Sequence, residues 1–174
     1  MSGYRQLSRP THQRKAILKQ QLTSLMVNGE LKTTKTRALE VQKMAEKLIS
    51  LAVREHENFT EVEVQKSAAK LDAKGRKILQ TATSKSGAKY DRVEREMTTV
   101  KVQKDDPSRL AARRKLIAEL YEFKDENGQR INTVNHVMNE LAPRYKGRQG
   151  GYTRIIRLGQ RRGDAAEMVL LQLV

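Results

Sequence analysis

Histidine and carboxylate side chains are the groups in this sequence that could bind a metal or transfer a proton, since its 174 residues include three histidines and no cysteine. His136 and Glu140 are four residues apart in a predicted helix, a spacing that places two ligands on one helical face. A metal site needs further ligands, and the sequence indicates none. His56, between Glu55 and Glu57 near a predicted helix end, is expected in solvent. No catalytic triad or nucleophile elbow is apparent, so the sequence predicts neither an enzyme nor a metal or cofactor site.

Basic side chains carry the other chemistry, because Lys and Arg neutralise phosphate groups. The chain has 35 Lys and Arg against 20 Asp and Glu, a formal net charge of +15. Residues 1–37 hold eight basic residues and one acidic residue, and residues 144–162 hold seven basic residues and no acidic one. We expect these two stretches to meet in one positive face that binds a nucleic acid, in preference to the alternative that they only aid solubility.

Arginine dominates the second basic stretch, with six arginines and one lysine. A planar guanidinium binds phosphate at two points and stacks on bases, which favours docking on folded RNA over reading a linear sequence. The predicted RNA contacts in the two stretches are Arg5, Arg9, His12, Arg14, Lys15, Lys32, Thr34, Lys35, Arg37, Arg144, Lys146, Arg148, Gly150, Gly151, Tyr152, Arg154, Arg157, Arg161 and Arg162.

Some of these contacts have a structural alternative. Gly150 and Gly151 either let an RNA backbone approach closely or simply form a turn. Tyr152 either stacks on an unpaired base or packs in the core at the start of a strand. Thr34 precedes a helix whose amino terminus attracts phosphate, and its hydroxyl can also cap that helix.

Apolar periodicity defines the elements that position the first basic stretch. Residues 1–10 show no such periodicity and are expected to form an extended basic tail. A helix is predicted from Thr11, as its N-cap, to a stop at Asn28–Gly29. A short strand at about 30–34 and a second helix at about 36–56 follow.

The elements near the carboxyl end position the second basic stretch. Asp106 and Pro107 start a helix that runs to about residue 122, and a turn is predicted over 125–130. The apolar stripe of this helix is expected at Leu110, Ile117, Leu120 and Tyr121. A shorter helix, stopped by Pro143, carries Val134, Val137, Met138 and Leu141. Strands at 152–158 and 167–173 are expected to pair as an antiparallel hairpin.

The segment at 57–105 differs in character, being polar and rich in Lys, Ser and Thr. Alternating residues at 61–64 and 98–102 could pair as edge strands, whereas apolar residues between 68 and 79 could instead mark a helix. Few of its residues are large and apolar, so we expect an accessory insertion, partly mobile, that buries little of its own surface.

Together these elements predict an α+β fold, a single domain spanning 1–174. Several helices would pack as one layer on a small mixed three-stranded sheet, in which the strand near residue 31 joins the terminal hairpin. No apolar run approaches the roughly 20 residues that cross a bilayer, and the start lacks a secretory signal. We therefore expect a soluble cytoplasmic protein with no membrane partner and no small-molecule substrate, and the lack of cysteine suits a reducing compartment.

Four segments of the chain resemble the bacterial large-subunit ribosomal protein seventeen family. They are RQLSRPTHQRKAIL at 5–18, TSLMVNGELKTTKTRALEVQKMAEKLISLA at 23–52, ARRKLIAEL at 112–120 and ELAPRYKGRQGGYTRIIRLGQRRGDAAEMVLLQLV at 140–174. Together they cover more than half of the chain, in order. The segment at 57–105 departs from the family, since it is longer than in the shorter members.

The resemblance implies a structural component of the large ribosomal subunit that binds large-subunit ribosomal RNA and has no catalytic activity. It also implies a position near the rim of the peptide exit tunnel, beside neighbouring large-subunit ribosomal proteins. Charge and periodicity by themselves indicate only a small basic protein of mixed fold.

Overall fold

A computed structural model of the chain describes residues 7–124 and 128–174. The chain divides into two compact units. The first contains the residues up to Asn58 together with Asp105–Val174 and is called the core unit below; the second, Phe59–Lys104, is called the arm. Arg5 and residues 125–127 of the predicted turn lie outside the described residues.

The first three elements of the core unit follow the predicted order. They are helix α1 at Thr11–Asn28, strand β1 at Glu30–Thr34 and helix α2 at Lys35–Glu55. Helix α1 ends because Gly29 takes a left-handed conformation, with φ of 77°. Residues that carry a Cβ atom rarely adopt this conformation. The two helices and the strand are therefore confirmed to within one residue at each end.

The start of α1 differs from the prediction. Pro10, and not Thr11, occupies the N-cap position, and no side chain caps the helix. Residues 7–9 of the predicted extended tail form a turn, and Leu7 packs against the hydrophobic core. An apolar side chain close to a helix start gains more by contact with the core than by extension into water.

A three-stranded sheet lies at the carboxyl end of the core unit. Its strands β8, at Thr153–Gln160, and β9, at Glu167–Leu173, form the predicted hairpin, and the strand order is β1-β9-β8. Both outer strands run antiparallel to β9, so the prediction of a mixed sheet is wrong. Helix α2 packs against all three strands, and Val169 and Leu171 of β9 are fully buried beneath the helices.

Helix α3, at Pro107–Glu119, begins as predicted but buries a different face. Its buried residues are Arg109, Ala112 and Leu116, whereas Ile117 of the predicted stripe is 62% exposed. Leu110 and Tyr121 are also exposed, and only Leu120 of that stripe is buried. The Arg109 guanidinium pairs with Asp105, just before the helix, so an ion pair turns a charged residue inward.

The next helix is continuous through Pro143. It comprises α4 at Thr133–His136, a π-helical turn at Val137–Leu141 and α5 at Ala142–Arg144. All four predicted apolar residues of this helix are buried. The predicted stop at Pro143 is wrong, because the wider π turn leads into a new first turn, where a proline without an N–H group is tolerated.

The arm consists of β-strands with almost entirely exposed side chains. Strand β2 at Phe59–Ala69 pairs with β5 at Arg95–Asp105, and β3 at Leu79–Thr83 pairs with β4 at Lys89–Val93. The strand alternative for this segment is confirmed, and the helix alternative is wrong. In the core unit, two short strands, β6 at Phe123–Lys124 and β7 at Arg130–Ile131, complete the described elements.

Candidate nucleic-acid interface

The sheet brings residues of the two basic stretches onto one face. Residues that pair directly across antiparallel strands share a face. The register of β1 and β8 on β9 places Lys32 and Thr34 on the same side as Arg154 and Ile156, opposite to the buried Val169. This outer sheet face, defined by Lys32, Thr34, Arg154 and Ile156, points away from the helices.

One carboxylate links both basic stretches at the margin of the sheet. Glu167 Oε2 lies 2.8 Å from Lys35 Nζ, and Glu167 Oε1 lies 3.7 Å from Arg157 Nε. The hydrogen bond from Lys35 is the main cause that lowers the pKa of Glu167. Arg157 emerges into solvent as expected for an arginine that would otherwise be buried without a partner, since 76% of its side chain is exposed.

The hairpin loop holds one arginine in an ion pair and leaves its neighbour exposed. Arg161 donates to both carboxylate oxygens of Asp164, at 2.8 and 2.5 Å, and this contact lowers the pKa of Asp164 to about 2. Arg162 is exposed and has no ion-pair partner in the described part of the chain. Of the two predicted contacts, Arg162 therefore has the more available charge.

The glycine segment before β8 forms a turn that Arg148 closes. Its guanidinium donates to the carbonyl oxygens of Gly150 and Gly151, at 3.2 and 2.7 Å. The two glycines have φ of 116° and 63°, values that side chains rarely adopt. The turn alternative accounts for both glycines, and close approach of an RNA backbone stays a prediction.

Tyr152 belongs to the core. Its side chain is 2% exposed, and its hydroxyl donates to the carbonyl of Arg148 at 2.8 Å. Its ring packs edge-on with that of Tyr145, with 5.3 Å between the two ring centres. A ring buried in this way presents no face to a base, so the prediction that Tyr152 stacks on RNA is wrong. The core alternative is the one that the structure supports.

Two cations near Tyr145 are exposed on the helix end that precedes the glycine turn. The Arg144 guanidinium lies 5.6 Å from the centre of the Tyr145 ring. Lys146 pairs with Glu57 at the end of α2, and its hydrogen bond lowers the pKa of Glu57. Arg144 thus keeps its charge available, whereas an acid 89 residues away in sequence offsets that of Lys146.

Four other predicted contacts of the first stretch lie at or just before the start of α1. Arg9, His12 and Lys15 are exposed there, and Arg14 is half-buried. The other end of α1 adjoins the sheet, since the carbonyl of Gly29 accepts a hydrogen bond from the backbone of Leu173. A helix of 18 residues is about 27 Å long. The first stretch therefore divides into two groups, and only its second half shares a face with β8.

The amino termini of α1 and α2 both lack a side-chain cap and an acidic residue in the first turn. Thr34 occupies the N-cap position of α2, but its hydroxyl lies 3.4 Å from that of Thr36 and does not cap the helix. Arg37 is half-buried one turn further on. Uncapped N–H groups next to cations favour a phosphate at both helix starts.

A groove beside the glycine turn, with three basic and two acidic side chains in its lining, was not predicted. It has a volume of about 690 Å³ and is lined by Lys47 and Arg54 of α2, Lys115 of α3 and Gly150, among others. Lys47 and Arg54 are seven residues apart, so their shared helical face is visible in the sequence. Lys115 joins them only through packing of α3 on α2, which sequence spacing does not reveal.

His136 and Glu140 contact each other, with 3.0 Å between Nδ1 and Oε2. Within residues 7–124 and 128–174, no group of three or more His, Asp or Glu is arranged to hold a metal ion. None of the helices in these ranges is both long enough and apolar enough to cross a membrane.

Comparison with known proteins identifies a family for the chain. The family model of ribosomal protein L17 matches residues 17–174. The chain belongs to this family. It is 54% identical to the large ribosomal subunit protein bL17 of Acetivibrio thermocellus over 174 residues, the whole of both chains. The proteins of the same name from Ruminiclostridium cellulolyticum and Lachnospira eligens are 53% and 45% identical, again over the whole of both chains.

Membership of this family confirms the resemblance described above. The match of the family model includes the arm as well as the core unit. Because the family is one of ribosomal proteins, membership also supports a structural component in preference to an enzyme.

Proposed function

We propose that this chain is a structural constituent of the large ribosomal subunit that binds folded large-subunit ribosomal RNA. The observation that carries the proposal is the outer sheet face. Strands β1 and β8 flank β9, so Lys32 and Arg154 are separated by two strand spacings across the sheet and by two residues along it, about 12 Å, although they are more than 120 residues apart in sequence. Glu30 is the acid on this face, next to Gln172.

Exposed cations supply the affinity in this proposal. Each Lys or Arg that neutralises a phosphate releases condensed counterions, so binding weakens steeply as salt rises. The exposed Arg144, at the helix end, and Arg162, in the hairpin loop, supply further charge, and the cations at the start of α1 form a second contact. Two separate groups of contacts suit a protein that holds two RNA segments in place, because both groups belong to the same folded unit.

The position near the exit tunnel rim belongs to the same proposal. Ile156 and Leu158 of β8 are 38% and 48% exposed, and an apolar side chain next to arginines is suited to a protein neighbour at the edge of an RNA contact. The names of the three relatives above refer to the large ribosomal subunit and support that part of the proposal, not the position within the subunit. In this proposal the core unit carries the family's function and the arm is an accessory insertion.

Binding of the full chain to full-length large-subunit ribosomal RNA tests the proposal. Lys32→Gln, Arg154→Gln and Arg162→Gln together should lower the slope of log affinity against log salt by about 2 to 3. The matched control removes three exposed cations of the arm, Lys66, Lys101 and Lys104, also as Gln. Equal binding by wild type and the triple variant over 100–300 mM salt would contradict the proposal.

A further inference from the structure

The positive charge of the arm is concentrated in its outer half. Residues 71–93, called the distal segment below, contain six basic and two acidic residues, whereas the rest of the arm contains five basic and four acidic residues. Lys70 marks the boundary, where it pairs with Glu94 at 3.2 Å and Glu96 at 3.7 Å. The rest of the arm is therefore nearly neutral, with a net charge of +1, whereas the distal segment has a net charge of +4.

The cations of the distal segment are exposed and unpaired. Its two acids are engaged locally, because Asp72 accepts from the backbone N–H of Ala73 and Asp91 accepts from the hydroxyl of Thr81. Among the ion pairs of the described chain, none includes a cation of this segment. The six exposed cations are Lys74, Arg76, Lys77, Lys85, Lys89 and Arg92.

An exposed aromatic ring lies among these cations. In the β3–β4 ribbon, Tyr90 pairs with Ala82 and Arg92 pairs with Gln80, so all four side chains share one face. Tyr90 is 51% exposed, and the small Ala82 opposite leaves its ring uncovered. Gln80, Tyr90 and Arg92 line a concave surface with a volume of about 690 Å³, and its other polar lining residues are Asp91, Glu94 and Arg95.

We propose that the distal segment is a further RNA-binding surface, separate from the contacts of the core unit. Tyr90 stacks on an unpaired base, Arg92 contacts the same nucleotide or its phosphate, and Lys85 and Lys89 contact neighbouring phosphates. An acidic protein would match the charge, but an open aromatic ring beside a guanidinium and an amide is the combination that binds unpaired bases. This inference rests on the proposed function, which supplies the RNA.

The architecture of the arm supports a bound partner. A two-stranded ribbon is only marginally stable by itself in water, and the arm contributes no residue to the hydrophobic core cluster of the described chain. Contact with RNA would hold such a ribbon in one conformation. Amide hydrogens of the distal segment should therefore exchange more slowly in the complex with ribosomal RNA than in the free chain.

The test compares two triple variants of the full chain in binding to full-length large-subunit ribosomal RNA. Lys85→Gln, Lys89→Gln and Arg92→Gln should together lower the salt slope by about 2 to 3, while the control at Lys66, Lys101 and Lys104 changes it by less than about 1. Tyr90→Leu should weaken binding at least about fivefold, and Tyr90→Phe should bind like wild type, because stacking needs the ring and not the hydroxyl.

The outcomes separate this inference from the proposed function. If wild type does not bind the RNA, the proposed function fails. If wild type binds, the variant at Lys32, Arg154 and Arg162 is weakened and the distal variants are not, only the inference about the arm is overturned. Distal variants that bind free RNA normally but are lost from assembled subunits would indicate a protein partner for the arm, which also overturns it.

Discussion

Tyr145 and Tyr152 are packed against each other in the core, but only one of their hydroxyls has a hydrogen-bond partner. The Tyr152 hydroxyl donates to Arg148, whereas the buried hydroxyl of Tyr145 has none among the described residues. Burial also raises the pKa of the Tyr145 phenol. A buried polar group without a partner costs free energy that a hydrogen bond would recover.

Tyr145→Phe should therefore leave the free energy of unfolding unchanged or raise it by up to about 1 kcal/mol, because it removes an unpaired hydroxyl. Tyr152→Phe should lower it by about 0.5 to 1.5 kcal/mol, because it removes a hydrogen bond. Urea denaturation of both variants measures the difference. A larger loss for Tyr145→Phe than for Tyr152→Phe would mean that the Tyr145 hydroxyl is bonded in solution.

The ion pair in the hairpin loop gives a second prediction for single residues. Arg161 lowers the pKa of Asp164 from an ordinary value of 3.8 to about 2. The pair therefore stabilises the folded loop above pH 3.8, and its contribution is lost as the pH falls from 3.8 through about 2. An NMR titration of the Asp164 carboxyl should show a midpoint near 2.

Two neighbouring arginines provide the variant and its control. Arg161→Gln should move the midpoint of Asp164 up towards 3.8, since the main cause of the shift is removed. Arg162→Gln removes the same charge one residue away but breaks no contact with Asp164, so the midpoint should stay near 2. Equal shifts in both variants would show that the general charge of the loop, and not the pair, controls the carboxyl.

Single residues also show which part of the candidate site the sequence could predict. The clustering of Arg and Lys is visible directly, and Arg154, Arg157 and Arg162 are indeed exposed. The partners of such cations are not visible, because Glu57 meets Lys146 only after folding. The orientation of Tyr152 is equally hidden, since an aromatic residue beside glycines and arginines suits both RNA stacking and core packing.

At the scale of elements, helix α2 positions the start of strand β8. One carboxylate oxygen of Glu46 accepts hydrogen bonds from the backbone N–H and the hydroxyl of Thr153, at 2.9 and 2.7 Å. Gln42, one turn earlier, donates to the same hydroxyl at 3.2 Å. This contact fixes the strand immediately before Arg154 and thereby orients the outer sheet face.

Glu46→Ala should lower the free energy of unfolding by about 2 kcal/mol, because hydrogen bonds to a charged acceptor are lost. The backbone amide of Thr153 should exchange with solvent at least tenfold faster, while amides in the middle of β9 should change little. Lys47→Ala removes an exposed neighbour on the same helix and serves as the control. An unchanged exchange rate at Thr153 would contradict the role of Glu46.

The elements that the sequence predicted well are those whose pattern depends on one surface only. Strand β9 alternates between buried and half-buried residues, and α2 has a single apolar stripe. Helix α3 was predicted in position but not in orientation, because the pair between Asp105 and Arg109 and the small Ala112 decide its buried face. Tertiary contacts of this kind decide which face of a helix is buried, even where apolar periodicity predicts another face.

In the whole molecule, the charge pattern of the sequence predicts the function best, but it does not predict how charge is distributed within the arm. The sequence pattern identified the two basic stretches but described 57–105 only as one polar segment rich in Lys, Ser and Thr. The strands divide that segment into a self-neutralising half and a positive half. Pairing of β3 with β4 was needed to place Gln80 and Ala82 on the same face as Tyr90 and Arg92.

Removal of the arm tests what each unit contributes to folding stability and to RNA binding. The carbonyl of Asn58 accepts a hydrogen bond from the backbone of Asp106 at 3.2 Å, so a two-residue Asn-Gly turn in place of Phe59–Lys104 can connect the remaining chain. The residues of the hydrophobic core cluster all lie outside the arm, and the free energy of unfolding should therefore change by less than about 1 kcal/mol. Urea denaturation checks this value.

The shortened chain should still bind large-subunit ribosomal RNA, but with a salt slope lower by about 2 to 5, because the cations of the distal segment are gone. A shortened chain that unfolds in buffer would show that the core unit needs the arm, whereas one that binds with the wild-type slope would show that the arm makes no RNA contact.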